Sequence, residues 1–302
     1  MKPTLRVPRL PFPYSAPKVP GGVDAVEPKR RLGADYDTDW ARRYPARMAR
    51  VLLLEGVLRP TVAALGAPER VGVERLHGLA DTPVIFAGNH HSHLDTPVVL
   101  TSIPEPWRHR MFVGAAADYF FRNHVTSAAS ALAIAALPIE RSKVTRKSAD
   151  QAAELIDEGW SMLIFPEGGR SPDGWGQPFR GGAAYLSSRC GVPVVPLHLE
   201  GTGRILRKGA KWPTPSNVRV TFGDPLRPVE GESAARFAER IERAVAELAD
   251  EATTDWWRAR QRAAAGTTPS LSGPDAPAWR RAWALGDRSR KRRRQTRDWP
   301  KL

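Results

Sequence analysis

Only one cysteine, Cys190, stands among the 302 residues, so no disulfide can form within the chain. That excludes a disulfide-stapled scaffold and fits a reducing compartment. Long apolar runs are missing as well. No window of eighteen consecutive apolar residues occurs, so no spanning helix is expected. The basic N-terminus, MKPTLRVPRLPFPYSAP, is broken by prolines and has no continuous apolar stretch, which makes it a poor secretion signal. There is no GxSxG nucleophile elbow and no internal repeat.

What is present is positive charge, unevenly placed. The formal charge is +14; residues 1–50 carry +6 and residues 256–302 carry +10, which leaves −2 for the body between them. A nearly neutral body between two basic ends reads as an electrostatic handle for an anionic surface, lipid or nucleic acid. The body has no recognisable nucleic-acid motif, so nucleic-acid binding is expected at most as a side activity of the cationic run RSRKRRRQTR (288–297). With 41% hydrophobic residues the chain can build a sizeable core.

The pattern divides the chain into three parts: a basic, Pro-rich extension (1–45), a domain (46–252) that opens on an apolar helix, and a basic Trp/Arg-rich tail (253–302). The opening helix, 46–66, should kink at Pro60. Short apolar runs follow at VIFA (84–87), MFV (111–113), LPI (137–139), MLIF (162–165), VVPLHL (194–199) and VRVTF (218–222). Helical patterns lie between several of them. Residues 145–160 have Ser148 as expected N-cap, 181–191 end on glycine, and 232–252 place Phe237, Ile241, Val245 and Leu248 on one face. Strands separated by helices predict an α/β layered domain.

The most informative stretch is GNHHSHLDTP (88–97), with three histidines and an aspartate in six residues after an apolar run. Three readings are open on these residues alone. His91-x-His93-x-Asp95 matches the start of an HxHxDH metal-hydrolase pattern, but Thr96 stands where the last histidine belongs, and Zn²⁺ needs three or four donors. His90 and Asp95 are five apart, a poor pairing on a straight helix but feasible across a turn after a strand. There the carboxylate orients the imidazole, whose free nitrogen takes a proton from a hydroxyl. The plainest reading is a polar loop with capping residues.

A second stretch, FPEGGRS (165–171), follows the run MLI. GNHHSHLD together with FPEGGRS resembles the glycerolipid acyltransferase superfamily, the 1-acylglycerol-3-phosphate O-acyltransferases and their relatives. The family's NHxxxxD block is complete here as Asn89, His90 and Asp95. Its FPEGTRS block has Gly169 in place of the usual threonine. IER (139–141) and GVPVVPLHLEG (191–201) match two looser blocks in the right order.

The resemblance implies an α/β domain with a mixed, mostly parallel sheet flanked by helices, glycerol-3-phosphate acyltransferase-like. It implies transfer of an acyl group from acyl-CoA or acyl carrier protein to the hydroxyl of a lysophospholipid-type acceptor, with no cofactor and no metal. His90 is then the general base and Asp95 its orienting acid. Ser92, Arg141, Glu167, Gly168, Gly169 and Arg170 are the expected acceptor-binding residues, the arginines for phosphate and Glu167 to hold an arginine or a hydroxyl. Plainer roles stay open for Arg141 as a surface residue, Ser92 as a turn cap and Glu167–Arg170 as a structural pair. His91 and His93 are expected as lining residues. The implied partners are an acyl thioester, a lysophospholipid and an anionic membrane surface, with the chain peripheral at the cytoplasmic face of a membrane. Other lipid or polyol acceptors, the metal-dependent hydrolase and a tail-driven nucleic-acid binder are the alternatives.

Overall fold

The computed structural model describes residues 32–79, 82–140, 146–170, 175–205 and 212–272. Seven strands form one sheet: β1 (Glu69–Val71), β2 (Ile85–Gly88), β3 (Met111–Ala116), β4 (Ala136–Ile139), β5 (Ser161–Ile164), β6 (Val194–Glu200) and β7 (Arg219–Phe222). Their order is β1-β7-β6-β2-β5-β3-β4, and every pairing is parallel except β6 with β7. The sheet is therefore mixed and mostly parallel, and each of the six apolar runs contributes a strand. β1 was not foreseen, because three residues reading ERV, with two charges, give no apolar signal.

The apolar runs are continuous rather than alternating because both faces of the sheet are covered. Val84 and Phe86 belong to one core cluster, with Val98, Val99 and Leu197. Ile85 and Ala87 point to the other, with Phe112, Met162, Phe237 and Ile241. This is the period-2 alternation of a strand, with both sides dry.

Ten α-helices surround the sheet among the described residues: α1 (Tyr44–Leu53), α2 (Arg59–Gly66), α3 (Asp95–Ser102), α4 (Ala117–Phe120), α5 (His124–Ile134), α6 (Arg146–Asp157), α7 (Gly182–Cys190), α8 (Thr202–Ile205), α9 (Ala234–Thr253) and α10 (Trp256–Ala264). In α9 the stripe Phe237, Ile241, Val245 and Leu248 is buried, as its spacing predicts. Ser148, expected as an N-cap, lies buried inside α6, which already begins at Arg146. α10 occupies part of the expected tail. Its composition reads as linker, yet Asp255 caps it by accepting from the Arg258 N–H at 2.8 Å, and it packs on α9.

Pro60 does not simply kink the first helix. A π-helical turn, Leu54–Leu58, joins α1 to α2 just before it. Proline has no N–H to donate, and the wider turn absorbs the missing bond. The extra residue also has a consequence for the surface. Tyr44, Met48 and Leu52 are four apart, the next exposed apolar residue is Val57, five on, and all four are exposed. An inserted residue in a π turn keeps Val57 in line with the other three.

Arg50 ties α1 to the rest. Its buried guanidinium donates to the carbonyls of Leu132 (2.8 Å), Ala131 (3.5 Å) and Ala41. Burial, with Arg42 and Arg47 nearby, pushes its pKa down to about 10, so it stays charged at neutral pH. Two of the acceptors lie in the last turn of α5, where carbonyls lack helical partners and a cation is favoured. Arg50→Ala orphans these carbonyls and is expected to lower unfolding free energy by about 2–4 kcal/mol in urea titration. A loss under about 0.5 kcal/mol, the range of ordinary surface substitutions, would contradict this role.

Candidate active site

β2 runs out into the loop of the histidine cluster, and its neighbour β5 runs out into FPEGGR. In a parallel sheet, both loops leave from the same carboxyl edge, where α/β sheets place ligands. Adjacent strands thus bring together two motifs some eighty residues apart in sequence.

The first loop is held by its side chains. Buried Asn89 bridges to β6, accepting from the Leu199 N–H (2.7 Å) and donating to the Leu199 carbonyl (2.9 Å). Asp95, fully buried, opens α3 and folds back over the turn. Its Oδ2 lies 2.8 Å from His90 Nδ1 and accepts from the N–H groups of His91 (2.6 Å) and Ser92 (2.8 Å). Its Oδ1 is buried with no hydrogen-bond partner among the described residues. An ionised Asp95 makes Nδ1 the protonated ring nitrogen and leaves Nε2 for a ligand. The other face of the ring stacks on Phe165, with centroids 4.3 Å apart and planes 14° apart.

The second loop reaches back to the first. Glu167 is 2% exposed, and its Oε1 accepts from the His90 N–H at 2.9 Å. Its Oε2 accepts from the Gln177 N–H at 3.0 Å. Burial raises its pKa to about 7, against the lowering effect of these two N–H donors, with Asp95 and Glu242 adding to the rise. Gly168 has φ +71°, a left-handed backbone that favours glycine, and the Arg180 guanidinium packs close over it. At Gly169 a Cβ would meet nothing within 4 Å.

Both loops border an open-mouthed cavity of about 160 Å³. Its lining changes character with depth. Val113 and Ala115 are buried apolar walls, joined by half-buried Ile139 and Ile164. At the exposed end stand His93, Tyr119 and Arg180, and half-buried His90, Arg170 and the acidic Glu140 also line the cavity. Tyr119 Oη lies 3.2 Å from His93 Nε2, and burial, with nearby Arg170, lowers the His93 pKa.

Of the expected acceptor-binding residues, Gly168, Gly169 and Arg170 line this cavity with His90. Ser92 and Glu167 do not. Ser92 is buried and its Oγ accepts from the Leu94 N–H (3.3 Å), the turn-cap role. Glu167 holds main chain rather than an arginine or a ligand hydroxyl. Arg141 lies outside the described residues. His93 lines the cavity as expected, but His91 borders a different one, with Asn89 and His198. The histidines therefore diverge, and among the described residues no group of three or more metal-type donors converges. Asp95 Oδ2 is fully engaged by hydrogen bonds. Phe165 and Tyr119 were missed. Phe165 stands inside a quoted motif, and Tyr119 lies in α4, three residues past the carboxyl end of β3, the edge where ligand-facing residues collect.

An open α/β sheet with a histidine–carboxylate pair beside a cavity with apolar walls defines an enzyme-like site. Residues 70–200, somewhat less than half of the chain, match the family model Acyltransferase. It is 32% identical over 183 residues to the chloroplastic 1-acyl-sn-glycerol-3-phosphate acyltransferase BAT2 of Brassica napus, covering 58% of this chain and 49% of that protein. Over 113 residues it is 33% identical to a 1-acyl-sn-glycerol-3-phosphate acyltransferase of Pseudomonas aeruginosa, covering 36% of this chain and 43% of the other. The chain spans about half the length of the curated relatives it matches. Among solved structures, the acyltransferase PlsC from Thermotoga maritima superposes with TM-score 0.55 at 24% identity, covering 73% of this chain and 84% of that one, which supports the fold.

Proposed function

We propose that this protein transfers a fatty acyl group from a thioester, acyl-CoA or acyl carrier protein, to the free hydroxyl of a lysophospholipid-type acceptor such as 1-acylglycerol-3-phosphate. The observation that carries this reading is the His90–Asp95 pair, 2.8 Å apart, on a cavity with apolar walls and a cationic rim. The apolar walls suit an acyl chain, and Arg170 on the lining suits a phosphate through its planar fork. The relatives' names point to the same acceptor.

The chemistry follows from the ring nitrogens. Nε2 of His90 takes the acceptor's proton as its oxygen attacks the thioester carbonyl, and Asp95 stabilises the imidazolium that forms. The new C–O bond replaces the C–S bond, and the imidazolium returns its proton to the departing thiolate. No acyl-enzyme is needed. The stacking of the ring on Phe165 fixes its plane, and orientation of this kind adds to the rate beyond proton transfer itself.

A lysophospholipid acceptor is held in a bilayer, and we place the protein peripherally on one. No described helix is long and apolar enough to cross a membrane. The aligned exposed residues Tyr44, Met48, Leu52 and Val57 form an apolar face suited to the interface, with Arg43 and Arg47 beside them. Cationic residues near an anionic leaflet add about 1 kcal/mol each.

Thiol release with acyl-CoA and a panel of phosphorylated and unphosphorylated acceptors, polyols included, tests the reading. Release is expected only when a lipid hydroxyl acceptor is present. The open space at Gly169 makes acceptors bulkier than 1-acylglycerol-3-phosphate the second class to try. Arg170→Ala is expected to raise KM for the phosphorylated acceptor by about 10- to 100-fold, the loss of one charge-assisted contact. An unchanged KM would remove Arg170 from acceptor binding.

A further inference from the structure

We infer that Glu167 is a positioning residue that sets the catalytic imidazole from behind, through the main chain of His90, and does not touch the acceptor. The inference rests on the acyl-transfer reading for the meaning of "catalytic", but its geometry stands alone. Three successive N–H groups leave β2, at His90, His91 and Ser92, and carboxylates take all three: Glu167 the first, Asp95 the other two. Asp95 also takes the ring of the same histidine. His90 is thus gripped at its main chain by one carboxylate and at its ring by another. The third constraint, the Phe165 plate, lies two residues before Glu167 on the same loop. Any shift of that loop moves plate and clamp together, so β5 and its loop fix the ring in both plane and reach.

The other oxygen of Glu167 is spent on Gln177, across the turn that carries Gly168, Gly169 and Arg170. One carboxylate therefore joins the base's loop to the loop bearing the cationic rim. With each oxygen on a backbone N–H and the side chain 2% exposed, the carboxylate faces main chain and does not line the cavity. This explains why a carboxylate beside a phosphate-type site does no harm there: its charge is turned inward, onto amides.

The same placement makes the clamp responsive to pH. The ionised form offers both N–H groups a full acceptor, whereas protonation converts one oxygen to a hydroxyl. Burial holds the pKa at about 7, with Asp95 at the start of α3 and Glu242 of α9 raising it and the His90 and Gln177 amides lowering it. Arg170 and Arg180 are the cations near it on the same described loop, Arg180 packed against Gly168. The clamp is therefore expected to tighten as pH rises through about 7.

Two measurements test this. Glu167→Gln keeps the shape but sets an NH₂ against one of the two N–H donors, so kcat should fall about 10- to 100-fold with the acceptor KM unchanged. The acid limb of its kcat profile should reduce to one proton, against a steeper limb in wild type. Glu167→Asp keeps the charge and one contact and should recover part of the loss. Independently of turnover, the ¹⁵N-labelled full chain should show the His90 and Gln177 amide resonances titrating together near pH 7 in wild type and not in Glu167→Gln. A raised acceptor KM with unchanged kcat would make Glu167 a ligand contact and overturn the inference. So would amide resonances that ignore the substitution, whatever the activity. Coupled amides in a chain that transfers no acyl group to any acceptor would instead sink the acyl-transfer reading and leave the clamp standing.

Discussion

His90→Ala is expected to lower kcat by about 10²–10⁴-fold, the usual worth of a positioned base, while far-ultraviolet circular dichroism and the urea midpoint stay close to wild type. No other imidazole can substitute. His93 faces Tyr119 at the exposed rim, and His91 borders another cavity. The stability cost should be modest because the ring, with its side chain 18% exposed, gives up one stack on Phe165 and one hydrogen bond to Asp95 while the loop's main-chain hydrogen bonds stay in place. Steady-state thiol release at saturating acceptor is the check. Retention of more than about a tenth of wild-type kcat, outside the range a lost base leaves, would remove His90 from the chemistry.

Asp95→Asn should cost nearly as much without disturbing the loop. The reason lies in the asymmetry of the carboxylate. Oδ2 accepts from His90 Nδ1 and from two N–H groups, while buried Oδ1 has no partner among the described residues. An asparagine can put its oxygen at the first position and its NH₂ at the second, so the turn survives. What it loses is charge. A neutral amide still accepts from Nδ1–H but does not stabilise the imidazolium, and kcat should fall on the order of 10²–10⁴-fold. Asp95→Ala, by contrast, orphans two buried N–H groups and should destabilise the fold by about 2–4 kcal/mol. A pair of variants that are equally unstable would mean that Asp95 is only a loop staple.

Much of this was legible in the residues. The six apolar runs contributed strands because continuous Val, Ile, Leu and Phe segments separated by helical patterns have few other uses in a chain of this size. The pairing of His90 with Asp95 could be anticipated because a strand-to-helix turn lets a helix-opening aspartate fold back over four residues. Other features left no local trace. β1 is too short and too charged to show, and α10 hides in a composition that reads as linker until Asp255 is noticed as a cap. The π turn before Pro60 depends on what the helix packs against, not on the proline alone. The resemblance implies that Glu167 holds an arginine or an acceptor hydroxyl, whereas the side chain holds the His90 and Gln177 main chain. Its inward orientation follows from β2 and β5 being neighbours, which no single stretch of sequence reveals.

The site also carries a conflict between stability and use. A carboxyl whose folded pKa is raised from the ordinary 4.5 to about 7 holds its proton more firmly in the folded state. The stability it contributes is complete below about pH 4.5 and is lost as pH rises toward 7. Ionisation near neutral pH therefore costs stability at the moment it strengthens the grip on His90. His198 runs the other way. Burial lowers its pKa to about 4, so its share of stability is present above pH 6.5 and lost on acidification through that range.

The central claim is that His90 acts as a base on the acceptor and not as a nucleophile on the thioester. Rapid-quench thiol release from enzyme and acyl-CoA, with intact-mass analysis of the protein at each time point, addresses it directly. The expected result is no burst and no mass gain until acceptor is added, then release matched one for one by acylated product. A stoichiometric burst without acceptor, with one acyl mass added on the protein, would contradict it.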